Sequence, residues 1–218
     1  MSLENKVIFI SGTPCTGKTT LATELAKRLE NDGFNCKFIK INDFAIFNNF
    51  VDGEDPDKFY KVINIEKLDT ALNEELDSFF DDNVTSDDEN NDSKDNNEIN
   101  NSVNDFNNEK IAIVEGHLSH FCHGADKMIV LRLNPNILKE RLESRNYTES
   151  KVHENCEAEA LAVCSVESYE LYGEDTNEID CSEKSIEELI AICLDIIQNK
   201  QDFPVGYINF MEWILSNS

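Results

Sequence analysis

The stretch Gly12-Thr-Pro-Cys-Thr-Gly17-Lys18-Thr19 has the spacing G-x-x-x-x-G-K-[ST]. Chemistry with phosphates needs that pattern. Gly12 and Gly17 let the backbone wrap until successive N–H groups point inward at an anion, and a helix starting near Lys18 adds the positive end of its dipole. The Lys18 ammonium then reaches the β- and γ-phosphates of a nucleotide, and the Thr19 hydroxyl ligates Mg²⁺. Thr20 is placed to add a hydrogen bond to the α-phosphate. A second group lies in IAIVEGHLSH, residues 111–120. Glu115, at the end of an apolar run, stands where a phosphate-binding fold places its second metal-site carboxylate, usually through a bound water. His117 follows two residues later and is expected to face the same cleft. His117, His120 and His123 are three apart, and a step of three walks imidazoles around a helix axis instead of converging them on zinc. A third group is basic. Arg141 and Arg145 are four apart and share a helical face, with Arg132 just upstream. Arginines that close over the equatorial oxygens stabilise a loose phosphoryl-transfer transition state.

These residues need elements to hold them, and the chain supplies an alternation. KVIFIS (6–11), CKFIKI (36–41), KIAIVE (110–115) and KMIVLRL (127–133) are apolar runs of the kind strands buried on both faces require, and NEID at 177–180 is a short fifth. Between them lie amphipathic helices. One covers Thr19 to Glu30 with Leu21, Leu25 and Leu29 on one face, and another covers Ile65 to Phe80. A third begins at Pro135 behind an Asn134 N-cap. A long helix is expected over Glu154 to Leu171, and Ser185 with Glu188 forms a capping box before IEELIAICLDII. The expected fold is α/β: one domain over 1–218, with a parallel five-stranded sheet and helices on both faces.

The segment Asp81–Glu109 breaks the alternation. It holds ten Asn, seven Asp and three Glu against one Lys, too little apolar surface to offset the entropy of ordering, so it reads as a disordered acidic insertion. The whole chain of 218 residues carries a net charge of −25. That charge argues against binding nucleic acid through phosphate neutralisation and suits a basic protein partner. No run approaches the roughly 18 apolar residues of a membrane span, and Met1 leads within a few residues into a strand rather than a secretory signal. Seven scattered cysteines read as free thiols of a reducing compartment. A cytoplasmic place is expected, or a nuclear one if the source is eukaryotic.

GTPCTGKTT at 12–20, Glu115-Gly116-His117, and VLRLNPNILKERLESRNYTESKVHEN at 130–155 together resemble the adenylate kinases of the isoenzyme-six type. KINDFAIFNNFVDGEDPD at 40–57 is similar to that family's monophosphate-binding region. The resemblance implies a P-loop kinase that moves the γ-phosphate of Mg²⁺-ATP to AMP, with ATPase activity and a role in small ribosomal subunit maturation beside a basic small-subunit ribosomal protein. It further implies that Cys15, Gly17, Lys18, Thr19 and Thr20 line the ATP phosphates and that residues 40–63, with Asp43, form the monophosphate region. Residues 144–154 correspond to a short lid from which Arg145 contacts ATP, Glu115 to the Walker B acid and His117 to the catalytic histidine; Arg141 is the candidate arginine for substrate. Two departures stand out. Cys15 replaces a common glycine, and 40–63 contains Lys40, Lys58 and Lys61 but no Arg, so no planar fork grips the acceptor phosphate there. Two other readings follow from the same residues. One is an ATP-switched assembly factor with incidental kinase turnover, the other a shikimate- or gluconate-type small-molecule kinase.

Overall fold

The computed structural model describes residues 5–54, 61–81 and 109–217. All but the two end residues of the acidic insertion 81–109 lie outside these, as do residues 55–60 of the expected monophosphate region. The strands in chain order are β1 (Lys6–Ser11), β2 (Asn35–Lys40), β3 (Val51–Glu54), β4 (Lys61–Ile63), β5 (Lys110–Glu115), β6 (Lys127–Arg132) and β7 (Thr176–Asp180). The helices are α1 (Lys18–Asn31), α2 (Ile41–Phe47), α3 (Ile65–Phe80), α4 (Pro135–Ser144), α5 (Glu149–Ala160), α6 (Val163–Tyr172), α7 (Ile186–Ile197) and α8 (Met211–Asn217).

Five strands form a sheet in the order β2-β5-β1-β6-β7, and every pairing in it is parallel. β1 lies at its centre, which is why Val7 to Ile10 can be apolar without a break. Its residues alternate between two cores. Ile8 and Ile10 join Leu21, Leu25 and Leu29 of α1 and Leu189, Cys193 and Ile196 of α7 on one face. Val7 and Phe9 meet Leu68, Leu72 and Leu76 of α3 on the other. Each such leucine, fully covered, contributes about 1.5–3 kcal/mol relative to exposure. The expected α/β sheet with helices on both faces is the fold found.

Caps fix the helix starts. The Asn134 side chain accepts from Asn136 N at 2.9 Å ahead of Pro135, and Ser185 and Glu188 make the reciprocal capping box of α7.

Three expectations change. The single helix over 154–171 is two helices, because Ala162 takes φ 59° and ψ 32° between α5 and α6. That turn lets α5 pack on α4 while α6 packs on β6 and β7. The strand expected over 36–41 stops at Lys40, since Ile41 opens α2 as a fully buried residue. The strand expected over 127–133 stops at Arg132. α2, the antiparallel β3–β4 pair and α8 were not foreseen in the sequence. No helix among the described residues is long and apolar enough to cross a membrane.

Candidate active site

The phosphate loop runs from the C-terminal end of β1 into α1, at the edge where parallel α/β sheets bind ligands. Gly12 has φ 136°, and a β-carbon on it would lie 2.5 Å from the Leu131 carbonyl oxygen of the neighbouring strand. Only glycine fits so close an approach. Cys15 occupies the left-handed region at φ 70°, which costs a residue with a β-carbon about 1–2 kcal/mol. The loop therefore reaches its shape without the usual glycine, at the expense of some strain.

Lys18 is buried, and its ammonium donates to the carbonyls of Gly12 and Thr13, each at 2.8 Å. Burial lowers its pKa from the ordinary lysine value, opposed by Cys164 and Glu115 nearby. At the start of α1, Thr19 Oγ1 donates to Glu115 Oε1 at 3.0 Å. Glu115 comes from the end of β5, in register with Ile10 on one side and Lys40 on the other. The helix start and the strand end are thus brought together. These two hard oxygen donors fit Mg²⁺, which takes few protein ligands and keeps several waters. Thr20 is exposed in the first turn of α1.

After Glu115 the chain turns sharply. Gly116 has φ 139°, and a β-carbon there would lie 2.6 Å from Ile41 Cγ2, so the start of α2 sits directly on this turn. As a result Asn42 Nδ2 lies 3.4 Å from His117 Nδ1. His117 stays exposed, but the protein around its ring and the Lys18 charge lower its pKa to about 4. At neutral pH it is an uncharged, weakly basic imidazole. The other two histidines of the trio have separate partners. His120 Nδ1 meets Ser11 Oγ at 2.7 Å and its Nε2 meets Glu167 at 3.0 Å, while His123 Nδ1 meets Asp69 at 2.8 Å.

Arg141 of α4 and Arg145, which stands just past the helix as its C-cap rather than within it, both reach the phosphate loop. Arg141 Nη1 donates to the carbonyls of Cys15 and Thr16, each at 3.3 Å, and Arg145 Nη1 lies 3.4 Å from Cys15 Sγ. Arg141, the candidate arginine for substrate, thus lies against the phosphate loop beside Arg145. Residues 144–154, where the lid is expected, comprise the end of α4, the turn 145–148 and the first half of α5, with Asn146 at φ 60° and Thr148 capping α5. Asp43 stands exposed in the first turn of α2. Arg132 does not belong to the site. It is 1% exposed and bonded to Glu159 and Glu178. A cavity of about 700 Å³ opens between α4, the turn after it, α5 and α8, lined among others by Lys139, Glu143, Asn146, Tyr147, His153 and Trp213.

Sequence reasoning missed three participants: Asn42, Thr13 and Glu159. Asn42 had a usable signal, since it follows the strand parallel to the one ending in Glu115. Thr13 and Glu159 had none, being 146 residues apart.

A strand, an anion-binding loop, a helix bearing lysine and threonine, and a strand-end carboxylate define a P-loop nucleotide-binding protein. The chain belongs to the AAA domain family, whose model matches residues 8–162, and to a group of archaeal proteins named "Putative adenylate kinase". The one from Methanothermobacter thermautotrophicus is 35% identical over 209 residues, covering 96% of this chain and 99% of its own. The one from Methanococcus maripaludis is 34% identical, covering 94% and 96%. Among solved structures, shikimate kinase from Acinetobacter baumannii in complex with shikimate shares the fold, with a TM-score of 0.53, 13% identity, and coverage of 91% of this chain and 96% of that one.

Proposed function

We propose that the protein is a nucleoside monophosphate kinase of the isoenzyme-six type, transferring the γ-phosphate of ATP to AMP and related monophosphates, with a slower ATPase activity. The observation that supports this best is the 3.0 Å contact between Thr19 and Glu115 at the mouth of a loop that Lys18, Arg141 and Arg145 all reach. Thr19 and Glu115, the latter through water, would hold Mg²⁺, which neutralises phosphate charge when bound. Lys18, freed from the loop carbonyls, meets the β- and γ-oxygens. Arg145 and Arg141 supply positive charge from the lid side as the transferred group loosens. The acceptor enters between α2 and Glu115, where Asn42, Asp43 and His117 lie. AMP brings its own ionised oxygen, so transfer needs no strong base.

A coupled assay of ATP with AMP, CMP, UMP, dAMP and no acceptor tests the reading. AMP should raise turnover at least tenfold over the acceptor-free rate, and Lys18→Ala should abolish both activities while the thermal unfolding midpoint stays within a few degrees. A Lys18→Ala protein with wild-type turnover would exclude the loop as the site.

A second reading, an ATP-switched assembly factor for a basic small-subunit ribosomal protein, is favoured by the net charge of −25. In that case AMP leaves turnover unchanged, and the basic partner raises it.

A further inference from the structure

Thr13 is the second residue of the phosphate loop, yet its hydroxyl points away from the phosphates. It donates to Glu159 Oε2, 146 residues along the chain. The other oxygen of that carboxylate accepts from Arg132 Nε at 2.8 Å and from Leu133 N at 3.0 Å. Arg132 also donates to the Glu159 carbonyl at 2.7 Å and to Glu178, whose second oxygen accepts from Gly206 N at 3.0 Å. Thr13, Glu159, Arg132 and Glu178 are all 3% exposed or less. Buried polar groups of this kind hold a geometry only while every partner is present.

The backbone of Thr13 shows what that geometry is for. Its carbonyl accepts from Lys18 Nζ at 2.8 Å, from Thr16 Oγ1 at 2.9 Å and from Thr16 N at 3.3 Å. The same residue is thus held from outside by Glu159 and itself holds the lysine and the middle of the loop. Glu159 lies near the end of α5, the helix that leaves the lid turn.

We propose that Glu159 is a positioning residue for the phosphoryl donor: through the Thr13 hydroxyl it keeps the phosphate loop, whose middle Thr13 holds through Thr16, in its folded shape and ties that shape to the lid helix. The inference rests on the kinase reading only in taking ATP as the loop's ligand. Its effect belongs to ATP, because no member of the cluster reaches the acceptor side around Asn42 and His117.

The test is equilibrium binding of N-methylanthraniloyl-ATP, with Michaelis constants for ATP and AMP and thermal unfolding measured on the same preparations. Thr13→Val keeps the side-chain shape and removes the hydroxyl. ATP affinity should fall about tenfold, the scale of one buried charge-assisted hydrogen bond. The AMP constant should stay within twofold, and Thr13→Ser should restore binding. In a Glu159→Gln background the added loss from Thr13→Val should shrink below threefold, because the partner it acts through is already altered. Wild-type affinity in Thr13→Val, ATP and AMP constants rising together, or a full tenfold loss in the Glu159→Gln background would each overturn the proposal. If Thr13→Val does not fold, Glu159→Gln decides alone, with at least a threefold loss of ATP affinity at unchanged AMP constant expected and wild-type affinity overturning it. A wild-type protein that binds no ATP sinks the kinase reading itself, a result distinct from all of these.

Discussion

At the scale of single residues, the weakness of His117 as a base decides how it can act. With its pKa lowered to about 4, it is a poor proton acceptor at pH 7 but can orient a water by hydrogen bonding. Hydrolysis needs that water and transfer to AMP does not. His117→Ala should therefore reduce ATPase turnover at least tenfold and transfer to AMP less than threefold, both at saturating ATP. Equal losses would assign the histidine to holding α2 through Asn42 instead. The loop lysine, Thr19 and Glu115 were legible in the sequence because their chemistry fixes both residue type and local spacing. Arg141 was legible as a basic group but not in its target, since a helical face says nothing about which partner it meets. Glu159 was illegible altogether, because a buried carboxylate on a polar helix looks like any solvated acid until its partner from 146 residues away is known.

Among the elements, those with buried faces could be read and those without could not. β1, α3 and β5 lie where their apolar patterns put them. α2 and the β3–β4 pair are short and largely exposed, so no periodicity marks them. The break between α5 and α6 escaped notice because neither Gly nor Pro stands there. α6 also turns Ser165 and Ser168 to the interior and leaves Val166 50% and Tyr169 45% exposed, the reverse of a normal amphipathic signal. The break is therefore made by Ala162 in a left-handed conformation, where glycine avoids a cost of about 1 kcal/mol. Ala162→Gly should raise the thermal midpoint by about 2–4 °C for a chain of this size. A lowered midpoint would show that the unfolded chain's added freedom outweighs the relieved strain.

For the molecule as a whole, acidity acts in two directions. Protonating carboxylates relieves the self-repulsion of a −25 chain, which favours the fold as pH drops. His120 opposes this. Burial first, then the His117 and Lys18 charges, lower its pKa to about 4, and its contacts suit a neutral ring that accepts from Ser11 and donates to Glu167. The unfolded chain takes up this proton near pH 6.5 and the folded one only near 4. The stabilisation is thus complete above about 6.5 and is lost as pH falls between the two. Urea unfolding at pH 7.5 and 4.5 should show His120→Asn losing less stability than wild type over that interval; identical losses would clear His120. The sheet order has a consequence of another kind, in time. β1 leaves the ribosome well before its two neighbours, β5 and β6, which begin at Lys110 and Lys127. At roughly 5–20 residues per second, the strand bearing the phosphate loop waits on the order of 5 to 20 s with both edges unpaired. The site is thus begun at β1 and completed by elements made more than a hundred residues later. The hydrogen bond from Thr13 to Glu159 can form only once α5 has been made.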